Sequence, residues 1–382
     1  MVQAPLSETM TIFSSPREGA DNLTRTLRRV HRAASDLRRG VPVLLEGANP
    51  LLLLAAETAG VESMAELAAL GAAPPVILFA PVRGAAVLRR PADADTEVIA
   101  AVLPAALANP TALRGLADPT AEQPATTGMR PVDPPEGAAA AIALAKLGRL
   151  LPAVLAVTPV SATDLVDRAL ISVRPQDVLD YPALEGAGLR IVASAPVPLV
   201  DAPDSRVVAF RAEGSAIEHL AIVIGRPETA ESPLVRIHSE CFTGDLLGSM
   251  RCDCGEQLRG AISRIAQDGA GIVLYLAQEG RGIGLVNKLR AYTLQDRGLD
   301  TMDANRVLGW GADERNFLVG ANMLLALGIT KVRLLTNNPD KISGLTACGI
   351  EVIGREAHAF APNDVNDSYL ATKAVRFGHM LD

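Results

Sequence analysis

Cysteine is scarce in this sequence, with four among 382 residues. Four thiols in so long a chain do not build a disulfide framework, and a reducing cytosol would keep them free. Long hydrophobic runs are missing as well. No apolar stretch reaches the ~18 residues that span a bilayer, because charge, Gly or Pro interrupts the longest ones. Residues 1–30 lack the basic, apolar, small-residue order of a signal peptide. Positive charge is not in excess either: 36 Lys and Arg stand against 43 Asp and Glu, a net charge of −7. A general nucleic-acid binder would carry a basic domain. Any polyphosphate ligand must therefore meet a local basic cluster, not a global field. These absences argue for a cytoplasmic protein that serves neither membrane nor nucleic acid. What is present is apolar material, 49% of the chain, enough for about two domains.

The two halves differ. Residues 1–190 are rich in Ala, Leu and Pro. "GVPVLLEG" and "PPVILFAPV" read as short buried strands, and "NPLLLLAAETAGVESMAELAAL" as an Asn-capped buried helix. "PTAEQPATTGMRPVDPPEG" reads as an exposed connection, and "GAAAAIALAKLGRLLPAVLAV" as a helix followed by a strand. From Ile191 onward, strand and helix signals alternate. "RVVAFRA", "HLAIVIG", "PLVRIHSE", "AGIVLYLAQEG", "KVRLLTNN" and "IEVIGRE" read as strands. "CGEQLRGAISRIAQDG", "LVNKLRAYTLQDRG", "DERNFLVGANMLLALG" and "PDKISGLTACG" read as helices, and "NDSYLATKAVRFGHML" as a last one. The pattern predicts mixed α/β packing in two domains, 1–190 and 191–382.

Three of the four cysteines fall within "HSECFTGDLLGSMRCDCGEQL", residues 238–258. Cys241, Cys252 and Cys254 are spaced C-x10-C-x-C. Thiolates are soft donors that suit Zn²⁺, which is usually four-coordinate. Three protein ligands with the fourth position open describe a catalytic zinc. Asp253, Glu240 and Arg251 make the surroundings too polar for cysteines that merely fill a core. Cys348, in "LTACGIEV", does fit that plain role. His238 is either a fourth ligand or a group supporting the ligands, and spacing leaves both open.

"QEGRGIGLVNKLR" follows a predicted strand. It is a Gly-rich turn carrying Glu279, Arg281, Lys288 and Arg290. With Arg236, Arg251, Arg315 and Lys341, it supplies basic groups beside Gly-rich turns and strand ends, as phosphate clamps do. "LLTNNPDK" ends a strand and opens a helix through Pro339. Thr336, Asn337 and Asn338 thus stand either at a phosphate-favouring strand end or in an ordinary helix cap.

Taken together, "VRIHSECFTGDLLGSMRCDCGEQL", "LYLAQEGRGIGLVNKLRAYTLQDRGLDTMDAN", "GADERNF" and "LLTNNPDK" resemble GTP cyclohydrolase II of riboflavin biosynthesis. The resemblance covers close to half the chain, from Ile191 to the C-terminus. It implies hydrolysis of GTP to 2,5-diamino-6-ribosylamino-4(3H)-pyrimidinone 5′-phosphate, formate and pyrophosphate. It also implies one Zn²⁺, Mg²⁺ on the polyphosphate, and a homodimer. Carried over by motif, Cys241, Cys252 and Cys254 hold zinc. Arg236, Ile237, His238, Ser239, Glu240, Gln257, Glu279, Gly280, Arg281, Thr301, Thr336 and Lys341 contact GTP. Tyr292 matches a tyrosine assigned to ring opening, Asp313 a proton acceptor, and Arg315 a nucleophile at the α-phosphate. Chemistry favours a different role for Arg315: a guanidinium is a poor nucleophile but a good phosphate clamp.

The first half is similar, at "ASDLRRGVPVLLEG…LLLLAAETA" and "ISVRPQDVLDYPALEGAGLRIVASAPVPL", to 3,4-dihydroxy-2-butanone 4-phosphate synthase. It departs from that family's chemistry. The acidic loop after the first strand is reduced to Glu46 and Gly47. No histidine occurs between His31 and His219, and the Arg-Thr-Gly substrate loop is missing. The expectation is a degenerate domain kept for structure or dimerisation. Two rivals share the C-terminal motif classes: a sister enzyme acting on another nucleotide, as in uracil degradation, and a non-catalytic zinc- and nucleotide-binding regulator. The intact polar motif residues favour the active enzyme on GTP.

Overall fold

A computed structural model describes residues 16–93, 95–160, 170–311, 313–358 and 360. Two seven-stranded sheets organise them. The first comprises β1 (Val43–Leu45), β2 (Leu51–Ala55), β3 (Val76–Phe79), β4 (Ile99–Val102), β5 (Arg130–Val132), β6 (Ala153–Val157) and β7 (Ser172–Val173), in the order β5-β4-β3-β6-β2-β1-β7. Its pairings are antiparallel except β1 against β7. The second comprises β8 (Leu189–Pro196), β9 (Arg206–Ala212), β10 (Glu218–Ile224), β11 (Leu234–Ser239), β12 (Gly271–Leu276), β13 (Lys331–Leu335) and β14 (Glu351–Glu356), in the order β14-β13-β11-β12-β10-β9-β8. Here β11 runs parallel to β12 and β13, and β13 parallel to β14; the remaining pairs are antiparallel.

One sequence expectation is corrected. "NPLLLLAAETAGVESMAELAAL" is not a single Asn-capped helix: Leu51–Ala55 is strand β2, and the helix is Val61–Leu70. The run is buried on both faces, so apolar character alone cannot separate strand from helix. Packing decides it with a period of two. Leu52 and Leu54 enter one core, Leu51, Leu53 and Ala55 the other. The connection at residues 119–137 also holds the exposed edge strand β5. A helix at Pro16–Arg38 and the edge strand β8 were not anticipated as elements. The expected last helix, 366–381, lies outside the described residues.

The same alternation shapes the second sheet. Val235 and Ile237 of β11 join Ile272, Leu274 and Leu276 of β12 in one core. Leu234 and Val273 face the other way, toward Ala261 and Ile265 of the helix Cys254–Asp268. Successive strand residues point to opposite faces. Arg236 and His238 are therefore turned away from the core that takes Ile237.

The two halves of the chain share a core. Ala291 and Leu294 of the helix Leu285–Gln295, with Ala304, Leu308 and Trp310 further on, pack with Leu52, Leu54 and Phe79 of the first sheet. Among the described residues no helix is long and apolar enough to cross a membrane.

Candidate active site

The site forms where β11, β12 and β13, three neighbouring parallel strands, end. Ligands favour this edge in open α/β sheets, because each strand hands over to a turn or helix N-terminus. After β11 the chain places Cys241, then one helical turn, Phe242–Leu246. Cys252 and Cys254 stand at the start of the helix Cys254–Asp268, where the helix dipole favours thiolates.

The three sulfurs lie within 4.8 Å of one another, the one such donor group among the described residues. Gly244 lies against them. A Cβ there would fall 2.8 Å from Cys252 Sγ and 3.0 Å from Cys241 Sγ, so this cradle admits only glycine. Hydrogen bonds from Cys252 and Cys254, and Lys288 Nζ at 3.0 Å, pull Cys241 far below the ordinary thiol range. Bonded to that thiolate, Cys252 is pushed up to about 11, and Cys254 rises too. Of the three, Cys241 is the one its neighbours favour as thiolate. A bound dication would displace the remaining protons, as thiolate ligation requires. The donor set fits a soft tetrahedral metal with one position left open.

His238 does not join the sulfurs. Its Nε2 lies 3.0 Å from Asp245 Oδ1, and Asp245 also accepts from Cys241 N and Tyr275 Oη, each at 3.0 Å. Burial keeps His238 below the ordinary histidine range despite that carboxylate. Asp245 and Tyr275 were missed by sequence reasoning. Their only signal was position, one between the metal-type cysteines and the other on the adjoining strand.

After β12 the turn bends sharply. Gly280, Arg281, Gly282 and Gly284 all have positive φ, at 64°, 64°, 99° and 84°. At Arg281 this costs about 1–2 kcal/mol, a strain typical of functional turns. Glu279 is 3% exposed. It accepts from Phe242 N at 2.6 Å and Lys288 Nζ at 2.8 Å, tying this turn to the cysteine segment. Burial alone would lower Lys288, but Cys241 and Glu279 hold its ammonium above the ordinary lysine range. Tyr292, one turn further, has its hydroxyl 3.4 Å from Thr243 Oγ1 and the Arg251 guanidinium 4.9 Å over its ring. Burial raises its pKa, so the phenol keeps its proton.

After β13, Asn338 accepts from Asp340 N at 2.9 Å and caps the helix Pro339–Ala347. The helix-cap reading of "TNNPDK" thus holds, and Asn338 also lines the cavity. Lys341 Nζ reaches Ile237 O at 2.8 Å. Arg236 donates to Leu335 O at 2.9 Å and to Gln257, and burial brings its pKa down to about 10. Its Nε and Ser239 Oγ are buried with no hydrogen-bond partner among the described residues.

These groups border one cavity of about 590 Å³. Six basic side chains line it: Arg236, Arg251, Arg281, Lys288, Arg315 and Lys341. So do the three cysteines, His238, Ser239, Glu240, Gln257, Glu279, Gly280, Tyr292, Thr301 and Thr336. Three residues named from sequence stand apart. Arg290 does not line the cavity; its guanidinium meets Glu57 and Asp118 of the first half. Ile237 is 1% exposed with its side chain in the core on the opposite face, leaving only its carbonyl, bound to Lys341, on this side. Asp313 does not line the cavity; it meets it through Arg315, whose Nε donates to Asp313 Oδ1 at 2.8 Å. Although burial opposes it, Arg315 holds the Asp313 carboxyl below its ordinary range. Cys348 packs, partly buried, against the second sheet's core, as its plain role requires.

A sulfur triad suited to a metal stands beside a basic cavity at the ends of parallel strands, an arrangement of the α/β enzyme class. Residues 189–357 match the family GTP cyclohydrolase II. The GTP cyclohydrolase-2 of Azospirillum brasilense is 46% identical over 366 residues, 93% of this chain and 94% of that protein. The GTP cyclohydrolase-2 of Enterobacter sp. (strain 638) is 49% identical over 193 residues, 50% of this chain but 98% of that protein. The chain belongs to the GTP cyclohydrolase II family. A solved two-domain 3,4-dihydroxy-2-butanone 4-phosphate synthase from A. baumannii aligns with 87% of this chain and 100% of its own, at 18% identity and a TM-score of 0.32, too low to carry an argument.

Proposed function

We propose that the protein hydrolyses GTP, releasing C8 of the imidazole ring as formate and the terminal two phosphates as pyrophosphate. The remaining product is 2,5-diamino-6-ribosylamino-4(3H)-pyrimidinone 5′-phosphate, and the reaction is the first step of riboflavin biosynthesis. One observation carries this reading: the sulfur triad and six basic side chains border the same cavity. Ring opening and polyphosphate cleavage need both in one place.

Cys241, Cys252 and Cys254 would hold Zn²⁺, which when bound supplies activation of water at neutral pH. Tyr292 keeps its proton and can donate or orient it at the ring. The basic groups neutralise the polyphosphate, together with Mg²⁺ brought by the nucleotide. Arg315 is charged and planar, with Asp313 fixing its orientation, so it acts as a clamp on the α-phosphate. Arg236, whose Nε has no partner among the described residues, and Ser239 have donor capacity left for GTP. We read residues 1–190 as a degenerate synthase-like domain, 191–382 as the cyclohydrolase domain, and the active form as a cytoplasmic homodimer.

Incubation with GTP, Mg²⁺ and Zn²⁺, followed by mass spectrometry, tests this. Formate and the diaminopyrimidine should appear together. Turnover of another nucleotide with GTP left intact would move the protein to a sister activity, and binding without turnover would make it a regulator.

A further inference from the structure

The helix Leu285–Gln295 is held on two sides. Lys288 and Tyr292 are four residues apart and share the face toward the active site. Arg290 lies two residues from each, so it points the other way, toward the first sheet. There its Nη2 meets Glu57 Oε1 at 2.7 Å and its Nε meets Asp118 Oδ2 at 2.8 Å. Its Nη1 donates to Asn287 Oδ1 at 2.8 Å, and Asn287, fully buried, donates to Arg149 O at 3.0 Å. The two carboxylates are themselves pinned: Glu57 accepts from Leu151 N at 2.7 Å, and Asp118 from Thr120 N at 2.8 Å.

We propose that Arg290, Glu57 and Asp118 are positioning residues: the N-terminal half fixes the helix that presents Lys288 and Tyr292 to the substrate. The first half then contributes to turnover without touching GTP. The guanidinium suits this task because its planar fork bridges several acceptors in fixed geometry, which an ammonium cannot do. Ala291 and Leu294 bind the same helix to the first sheet without direction, whereas the three polar contacts set its rotation.

The proposal rests on the GTP cyclohydrolase II reading for the reaction it serves, so the test pairs a kinetic measurement with one independent of activity. The zinc-loaded full chain is compared with Arg290→Lys, Asp118→Asn and Glu57→Gln. In Arg290→Lys, kcat for formate release should fall about tenfold or more, the scale of a displaced catalytic group, with KM for GTP little changed. Glu57→Gln and Asp118→Asn each leave one acceptor oxygen where two are used, so each should lose formate release, though less than Arg290→Lys. Hydrogen–deuterium exchange of residues 285–295 should rise in Arg290→Lys and Asp118→Asn. Exchange in the helix Cys254–Asp268, which packs on β10, β11 and β12 of the second sheet and on the turn Phe242–Leu246, should not. Unchanged exchange in 285–295 would overturn the proposal, as would an equal rise in both helices, which marks general loss of stability. A selective rise with undiminished formate release would overturn it too. If the wild type releases no formate from GTP, the activity assignment fails and the exchange data still decide the positioning.

Discussion

At the scale of single residues, the proposed reaction divides its chemistry between Tyr292 and Arg315. Tyr292 is protonated, bonded to Thr243 and flanked by two cations, so it can move one proton without being a stable phenolate. Tyr292→Phe removes only the hydroxyl. Formate release should fall by about 10²-fold, the usual scale for a positioned proton donor, while zinc content and GTP binding persist. Near-normal formate release would make the ring a packing group. Arg315→Ala should slow pyrophosphate release more than formate release. Arg315→Lys should rescue little, since one ammonium cannot face Asp313 and a phosphate in the same plane. Equal loss of both products, tracking loss of thermal stability, would return Arg315 to a structural role. Residue types and motif spacing made the cysteines and basic groups legible in the sequence. Which face each residue takes was not legible. Ile237 sits between Arg236 and His238 in the motif, yet the strand's period of two sends it into the core.

At the scale of elements, the turn Phe242–Leu246 closes the metal cradle. Gly244→Ala adds one methyl group where both Cys252 Sγ and Cys241 Sγ stand within 3.0 Å, and removes no ligand. Zinc retention after dialysis should drop well below the ~1 per chain expected of a three-cysteine site, and formate release with it. Full retention in Gly244→Ala would show that the sulfurs separate on binding. A second device joins strands. His219 of β10 accepts from Ala277 N, just past β12, through Nδ1 at 3.1 Å, so it must be neutral. Burial, helped by Arg149, lowers its pKa from 6.5 to about 4. The unfolded chain then binds the proton first. Stability is complete above about pH 6.5 and declines as pH falls toward 4, by about 1.4 kcal/mol per unit. Urea unfolding at pH 7.5 and pH 5 should show His219→Asn, which keeps an acceptor, losing about 2 kcal/mol less than wild type over that interval. Equal losses would mean that folding does not lower the His219 pKa. The strands and helices around the site were legible because their apolar periods are distinct. Leu51–Ala55 was not, since a run buried on both faces has no period to read until its neighbours are known.

At the scale of the whole molecule, the strands of the first sheet end at Val173 and those of the second begin at Leu189, but the packing does not divide there. β8 begins at Leu189 and belongs to the second sheet, while Ala291, Leu294, Ala304, Leu308 and Trp310 belong to the core of the first. Nothing in the sequence marked those five as shared, because a helix face looks the same whichever sheet covers it. The first half, lacking the acidic loop and histidine of the synthase it resembles, should give no 3,4-dihydroxy-2-butanone 4-phosphate from ribulose 5-phosphate. Its removal should nevertheless matter. A chain beginning at Leu189 retains every metal-type cysteine and every basic group lining the cavity. It loses the cover over the shared core residues, Ile283 among them, and the carboxylates that face Arg290. Exposed contiguous apolar surface of this kind drives association. The shortened chain should bind zinc, bind an apolar dye, self-associate in sedimentation, and release formate more slowly than the full chain at equal zinc loading. Adding the separately produced first half, residues 1–188, should reverse part of the loss if that half folds and docks. A shortened chain that stays monodisperse, ignores the dye and turns over GTP at the full rate would show that the shared core is dispensable to the cyclohydrolase.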